Sequence, residues 1–586
     1  MDHSSKRTVS AVHGDETRSP ATPASLSHPV SPPLKKRRLA EGEPAVGLVP
    51  PASNGKSIPP STASTPPLVS TLRSPFQLTK IRDLPPEMNK DAISLKDILG
   101  HPLIAECWEF NYLHDIEFLM SAFDEDVRHL VKVHVVHGFW KKEDAHRLEL
   151  EEVGSRFPNV KLCNAFMPEM FGTHHTKMMV LFRHDETAQI IIHTANMIVR
   201  DWTNMTQAVW VSPNLSLRET SDKDPEPAET TIGSGARFKV DFLNYLRAYD
   251  KRKPTCKPLI EQLMKYDFSS IRGSLIGSVP GRHKLNDPSP TRWGWAAMQQ
   301  ALKAVPVSKE KSDIAIQISS IATLGPTDTW LKDTLFRALR GGRSTTGNTT
   351  TLPQSPNFKV VFPTPDEIRK SLEGYVSGGS IHTKIQSSQQ VKQLAYLKPI
   401  FHHWANDSTH GVNINSNPTH ANNSSHTGSG STTIQEAGRK RAAPHIKTYI
   451  RFVEPSSEST EHRPIIDWAL LTSANLSKQA WGEAATAAGE VRIASYELGV
   501  LVWPELYQEG AVMQGSFLTD WPGEREEVNK EAAKDAKPDQ DGQKTVVALR
   551  MPYSLPLQKY GDGEVPWVAT ANHLEPDWRG QVWRHG

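Results

Sequence analysis

Gly172-Thr173-His174-His175-Thr176-Lys177-Met178-Met179-Val180-Leu181-Phe182 is followed by Ile191-Ile192-His193-Thr194-Ala195-Asn196 and then by Trp202. Far downstream the same syntax returns as Pro444-His445-Ile446-Lys447-Thr448-Tyr449-Ile450-Arg451-Phe452, then Leu470-Leu471-Thr472-Ser473-Ala474-Asn475, then Trp481. Each copy holds H-x-K entering an apolar strand, a second apolar strand ending in Ala-Asn, and a Trp six residues past the Asn (196 to 202; 475 to 481). Self-similarity of this kind marks an internally duplicated fold. A third H-x-K, His382-Thr383-Lys384, has no Ala-Asn strand after it and reads as structural.

The surroundings of the two copies are of α/β type. Residues 131–136 alternate like a strand, residues 95–123 carry apolar groups at helical spacing, and further segments fall at 190–192, 238–248, 314–321 and 358–362. The expected architecture is α/β with mixed sheets flanked by helices, in two pseudo-symmetric domains at 72–288 and 289–586 that share one active site. A length of 586 residues, more than one core usually holds, agrees. Three polar or charged stretches, 341–357, 406–441 and 523–544, read as solvated insertions without chemistry.

Residues 1–71, rich in Ser, Pro, Thr and Ala, carry too few large apolar groups to offset the entropy of ordering and are expected to be disordered. The basic cluster Lys35-Lys36-Arg37-Arg38 within them reads as a nuclear-import signal, which places the protein in the nucleus. No stretch approaches the length of a membrane span, and the N-terminus lacks the apolar core of a signal peptide, so a soluble, non-secreted protein is expected. Cys107, Cys163 and Cys256 are odd in number and widely spaced, which argues against a disulfide framework or a cysteine-based zinc site. A net charge of only +2 does not by itself announce a nucleic-acid binder.

The chemistry follows from residue types and spacing. Residues i and i+2 of a strand point to the same side, so His175 projects with Lys177 and His445 with Lys447, while Asn196 and Asn475 close the neighbouring strands. If the copies pack about a pseudo-twofold axis, two imidazoles, two ammonium groups and two amides meet at one phosphate-sized pocket. Two lysines and two amide donors can stabilise the charge that grows on a phosphodiester under attack, so the reading calls for no metal and no cofactor. An imidazole with an ordinary pKa of about 6.5 can serve as nucleophile in one half and as proton donor in the other.

The paired H-x-K…N motifs resemble those of the phospholipase D superfamily, and the wording is closer to its tyrosyl-DNA phosphodiesterase branch. General phospholipase D motifs carry an Asp five residues after the Lys; here Phe182 and Phe452 stand there, as in that branch. The resemblance runs from about Ser74 onward. It implies two phospholipase D-like domains, with His175 as nucleophile and His445 as general acid and then base. By the same resemblance Lys177, Lys447, Asn196 and Asn475 hold the phosphate oxygens, and Gln207 and Glu497 orient the histidines. Phe171 matches a base-stacking position, and Ser319, Ser320, Ser477 and Lys478 match contacts to the DNA backbone, with capping or turn roles open for the first two serines. The implied function is repair of DNA 3′ ends, single- or double-stranded, that carry a covalently attached topoisomerase I peptide or a related lesion, performed by a monomer. A phenol, with a pKa near 10, leaves more easily than an alkoxide. The competing readings are a phospholipase D-like nuclease or lipid hydrolase, and a non-catalytic DNA-end-binding protein.

Overall fold

Two large sheets built on one strand plan organise the protein. The computed structural model describes residues 70–219, 226, 230–344, 355–406, 434–454, 463–518 and 545–585. The tail before residue 70 with its basic cluster, the insertion 523–544 and most of the other two insertions lie outside the described residues.

In the seven-stranded sheet the spatial order is Val160–Asn164, Lys132–His137, Ile104–Phe110, Met178–Arg183, Ala188–His193, Ala208–Val211 and Gln77–Leu78. Its first two contacts are parallel and the rest antiparallel. The ten-stranded sheet repeats this plan with Phe401–His402, Asn357–Val361, Ser312–Gln317, Thr448–Val453, Ile465–Thr472, Glu497–Val502 and Ser274–Ser278, again two parallel contacts followed by antiparallel ones. Val512–Ser516, Thr545–Arg550 and Ser70–Leu72 extend it. The α/β architecture expected from the duplication is therefore present down to strand direction. Residues 66–586 form one compact unit. Ser70–Leu72 and Ser274–Ser278, both ahead of residue 289, hydrogen-bond into the larger sheet, so the sheets do not divide where residues 288 and 289 meet.

The strands that carry the motifs are central. Met178–Phe182 and Tyr449–Val453 are buried on both faces, which is why they read as near-continuous apolar runs rather than alternating ones. Helix Gly235–Arg247 follows the first sheet, and its buried Phe238, Phe242 and Tyr245 meet Tyr249 and Tyr496 in one core.

Two expectations need correction. Residues 95–123 are not helical throughout: helix Leu95–Leu99 ends at Gly100, strand Ile104–Phe110 follows, and helix Ile116–Ala122 comes after it. Burial on both faces of this strand made its apolar spacing ambiguous, and Gly100 and Pro102 were the break signals. Nor is the described end of the 406–441 insertion solvated, since Ala437 and Arg439 are buried and Ala437 O accepts from Arg550 Nη2 (2.9 Å).

Candidate active site

Each H-x-K lies in extended chain just ahead of its buried strand. Lys177 O accepts from His193 N–H (3.0 Å) and Lys447 O from Thr472 N–H (3.2 Å), so the two copies are registered identically against the strands that lead to Asn196 and Asn475. The segment before each strand is fastened to the opposite half. His175 N–H donates to Tyr496 O (3.0 Å) and Tyr496 N–H to Thr173 O (2.9 Å), beside Glu497. In return His445 N–H and Ile446 N–H donate to Thr206 O (3.0 and 2.9 Å) and Thr206 N–H to Ala443 O (2.9 Å), beside Gln207. Gly172 permits the first crossing, because a Cβ there would stand 1.8 Å from the Ala494 carbonyl oxygen.

This exchange gives each histidine its Nδ1 partner from the other half. His175 Nδ1 meets Glu497 Oε2 at 2.8 Å, and Ser473 Oγ donates to the same oxygen at 2.6 Å. His445 Nδ1 meets Gln207 Nε2 at 2.9 Å, with Gln207 Oε1 held by Thr194 Oγ1 (2.8 Å). Asp201, to which sequence reasoning gave no role, also reaches His445 Nδ1 at 3.1 Å and is fixed by the Asn196 backbone N–H at 2.7 Å. On His175 the Glu497 carboxylate favours the tautomer that carries hydrogen on Nδ1 and leaves the Nε2 lone pair for chemistry, whereas on His445 the Gln207 amide N–H and the Asp201 carboxylate compete for Nδ1. The second copy has Ala480 where the first has Asp201, just ahead of the shared Trp, so comparing the copies could not reveal it.

Charge couples the groups of the two halves. Burial holds His175 below the ordinary imidazole value; Glu497 opposes this, and the ammonium groups of both Lys177 and Lys447 add to it. Burial likewise lowers His445 to about 3, assisted by Lys447 and Lys177 and opposed by Asp201. Lys177 is lowered to about 8 by burial, against Glu497, Asp201 and Glu109. Lys447 falls well below its ordinary value through burial and then through Lys177. Burial alone would raise Asp201, but His445 and the Asn196 N–H outweigh it and hold the carboxyl at about 2. Each histidine thus feels the lysine of the other half, and an anion bound between them would relieve the mutual repulsion of these groups.

The amides differ between halves. Asn475 Oδ1 accepts from the backbone N–H groups of Ser319 (3.0 Å) and Ser320 (2.9 Å), which leaves its Nδ2 to donate elsewhere. Asn196 is buried and its Oδ1 has no partner. Ser319 is buried against Asn475, whereas Ser320, Ser477 and Lys478 line an open cleft of about 480 Å³. Ser477 also caps the helix Lys478–Trp481, and Lys478 Nζ lies 5.9 Å from the Trp330 ring centre. Phe171 is 74% exposed, with its carbonyl held by Gln479 Nε2 (3.1 Å), so its ring face is free to stack. His382 lines the same cleft, a position that the lack of an Ala-Asn echo concealed.

One strand plan used twice, with a His/Lys/Asn set from each copy meeting across the join, is the build of a phospholipase D-type phosphodiesterase. A family model described as tyrosyl-DNA phosphodiesterase matches residues 75–561. The chain belongs to the tyrosyl-DNA phosphodiesterase family, and it is a phosphodiesterase hydrolase. It is 31% identical over 576 residues to a probable tyrosyl-DNA phosphodiesterase of Schizosaccharomyces pombe, covering 87% of this chain and 95% of the relative. With tyrosyl-DNA phosphodiesterase 1 of Arabidopsis thaliana the identity is 28%, over 87% of this chain and 77% of the relative. The crystal structure of the yeast tyrosyl-DNA phosphodiesterase shares the fold, with a TM-score of 0.55 at 18% identity over 84% of this chain and 98% of that one.

Proposed function

We propose that the protein hydrolyses 3′-phosphotyrosyl bonds at DNA ends, such as those left by a trapped topoisomerase I, and related 3′ lesions, through a covalent phosphohistidine. The observation that carries the reading is the reciprocal fastening of each H-x-K segment to the stretch of the opposite half that bears its own histidine's Nδ1 partner. His175, with Nδ1 engaged by Glu497, presents its Nε2 lone pair to phosphorus. As the P–N bond forms the P–O(tyrosine) bond breaks, and His445 Nε2 passes its proton to the phenolate. His445 then takes a proton from water, whose oxygen attacks phosphorus, and the P–N bond breaks to return neutral His175 and a DNA 3′-phosphate. The negative substrate raises the proton affinity that burial and Lys447 depress, so binding brings the proton that His445 donates. Lys177, Lys447, Asn196 and Asn475 hold the non-bridging oxygens, and Gln207 and Asp201 keep the His445 ring in place. Phe171, Ser320, Ser477 and Lys478 face the DNA strand, and Ser319 acts behind them by holding Asn475.

The test is cleavage of an oligonucleotide carrying 3′-phosphotyrosine in the presence of EDTA. Release of tyrosine and a 3′-phosphate end is expected; loss of activity in EDTA, or cutting of unmodified internal phosphodiesters at a similar rate, would sink the reading.

A further inference from the structure

The third H-x-K is built into the rim of the pocket. His382 N–H donates to Ser319 O (2.9 Å) and Ile321 N–H donates to His382 O (2.9 Å), so His382 is registered on the same Ser319-Ser320 segment whose N–H groups hold Asn475. Thr383 is buried, and His382 and Lys384 on either side of it are exposed in the cleft that Ser320, Ser477 and Lys478 also line. Enclosure by the cleft walls lowers the His382 imidazole, and the charges of Lys384, Lys447, Arg200 and His175 lower it further, which sets the ring within electrostatic reach of both catalytic halves. Among the described residues no carboxylate pairs with Lys384 or Lys478. The one carboxylate on the cleft wall, Glu483, is engaged by Arg492 at 3.3 Å. Hydroxyls and unpaired cations along a cleft leaving a phosphate pocket are suited to a chain of phosphates, and poorly suited to an apolar ligand.

We propose that His382 and Lys384 form a second anion subsite, which takes a backbone phosphate of the bound DNA strand beside the scissile one, in the cleft that Lys478 also lines. This rests on the phosphodiesterase reading above and adds residues that the duplicated motif does not contain. The subsite grips without reading sequence, and it acts only on substrates that extend beyond one nucleotide.

The experiment compares wild type, Lys384→Ala, His382→Ala and Lys384→Arg on two substrates, a 3′-phosphotyrosyl oligonucleotide of about a dozen nucleotides and thymidine 3′-(p-nitrophenyl phosphate). Binding of the unmodified oligonucleotide is followed in parallel by fluorescence anisotropy across a salt series. For each alanine variant the ratio of kcat/KM on the oligonucleotide to that on the mononucleotide should fall about tenfold, mostly through KM. The slope of log affinity against log salt should shrink by about 0.7 for Lys384→Ala, and Lys384→Arg should restore both. An unchanged ratio and slope would overturn the subsite while leaving the phosphodiesterase reading intact; so would an equal loss on both substrates. Wild-type enzyme that cleaves neither substrate would remove both.

Discussion

In the mechanism proposed above, Glu497 and Asp201 hold the two histidines to their separate tasks. Glu497 raises the proton affinity of His175 against the burial that lowers it. Glu497→Gln therefore moves the acid limb of kcat/KM to lower pH, because the imidazole then loses its proton more easily. The same substitution cuts the rate at pH 7 by about 10²- to 10⁴-fold, as the ring loses the carboxylate that sets its tautomer. A pH profile of kcat/KM on a small phosphodiester checks both effects, and an acid limb that moves upward contradicts the assignment. Above pH 8 the free enzyme should lose activity as Lys177, lowered to about 8, gives up its charge. Asp201→Asn should lower kcat about a hundredfold or more while Asp201→Glu recovers part of it, measured at saturating substrate. The histidines, lysines and asparagines were legible because they occur twice. Gln207 and Glu497 came only through family resemblance, and Asp201 was hidden because Ala480 replaces it in the other copy. His382 is carried to the pocket by a bridge to Ser320, which no periodicity encodes.

At the scale of elements, the site depends on short extended segments crossing between halves rather than on any single helix or strand. Gly172 is the tightest of these crossings, and Gly172→Ala would force a methyl group against the Ala494 carbonyl. The expected result is displacement of His175 from Tyr496 and Glu497, with a fall in activity of more than tenfold and a stability loss of about 1–3 kcal/mol. Activity and thermal melting of the variant check this; wild-type behaviour in both would show that the segment can give way. Strand type was readable where alternation was clear, as in Lys132–His137, while the segment 238–248 was located without its type and proves to be part of the helix Gly235–Arg247. They were not readable in Ile104–Phe110, a central strand buried on both faces whose pattern matches a buried helix equally well.

For the molecule as a whole, duplication supplies in one chain the two half-sites that would otherwise need two subunits, and the repeated strand plan is its structural record. The duplication could be read from sequence, but the way Ser274–Ser278 and Ser70–Leu72 join the second sheet could not, since strand pairing over such separations leaves no local signal. Replacing Lys35-Lys36-Arg37-Arg38 with alanines should abolish nuclear accumulation of a fluorescent fusion without changing turnover of the purified protein. The most direct test of the shared pocket is a denaturing gel of enzyme incubated with 3′-phosphotyrosyl oligonucleotide labelled on the DNA. His445→Asn should accumulate a covalent enzyme–DNA species, and the double variant His175→Ala/His445→Asn should show none. An adduct that survives loss of His175, or one that forms through His445 in a His175→Ala variant, would contradict the account.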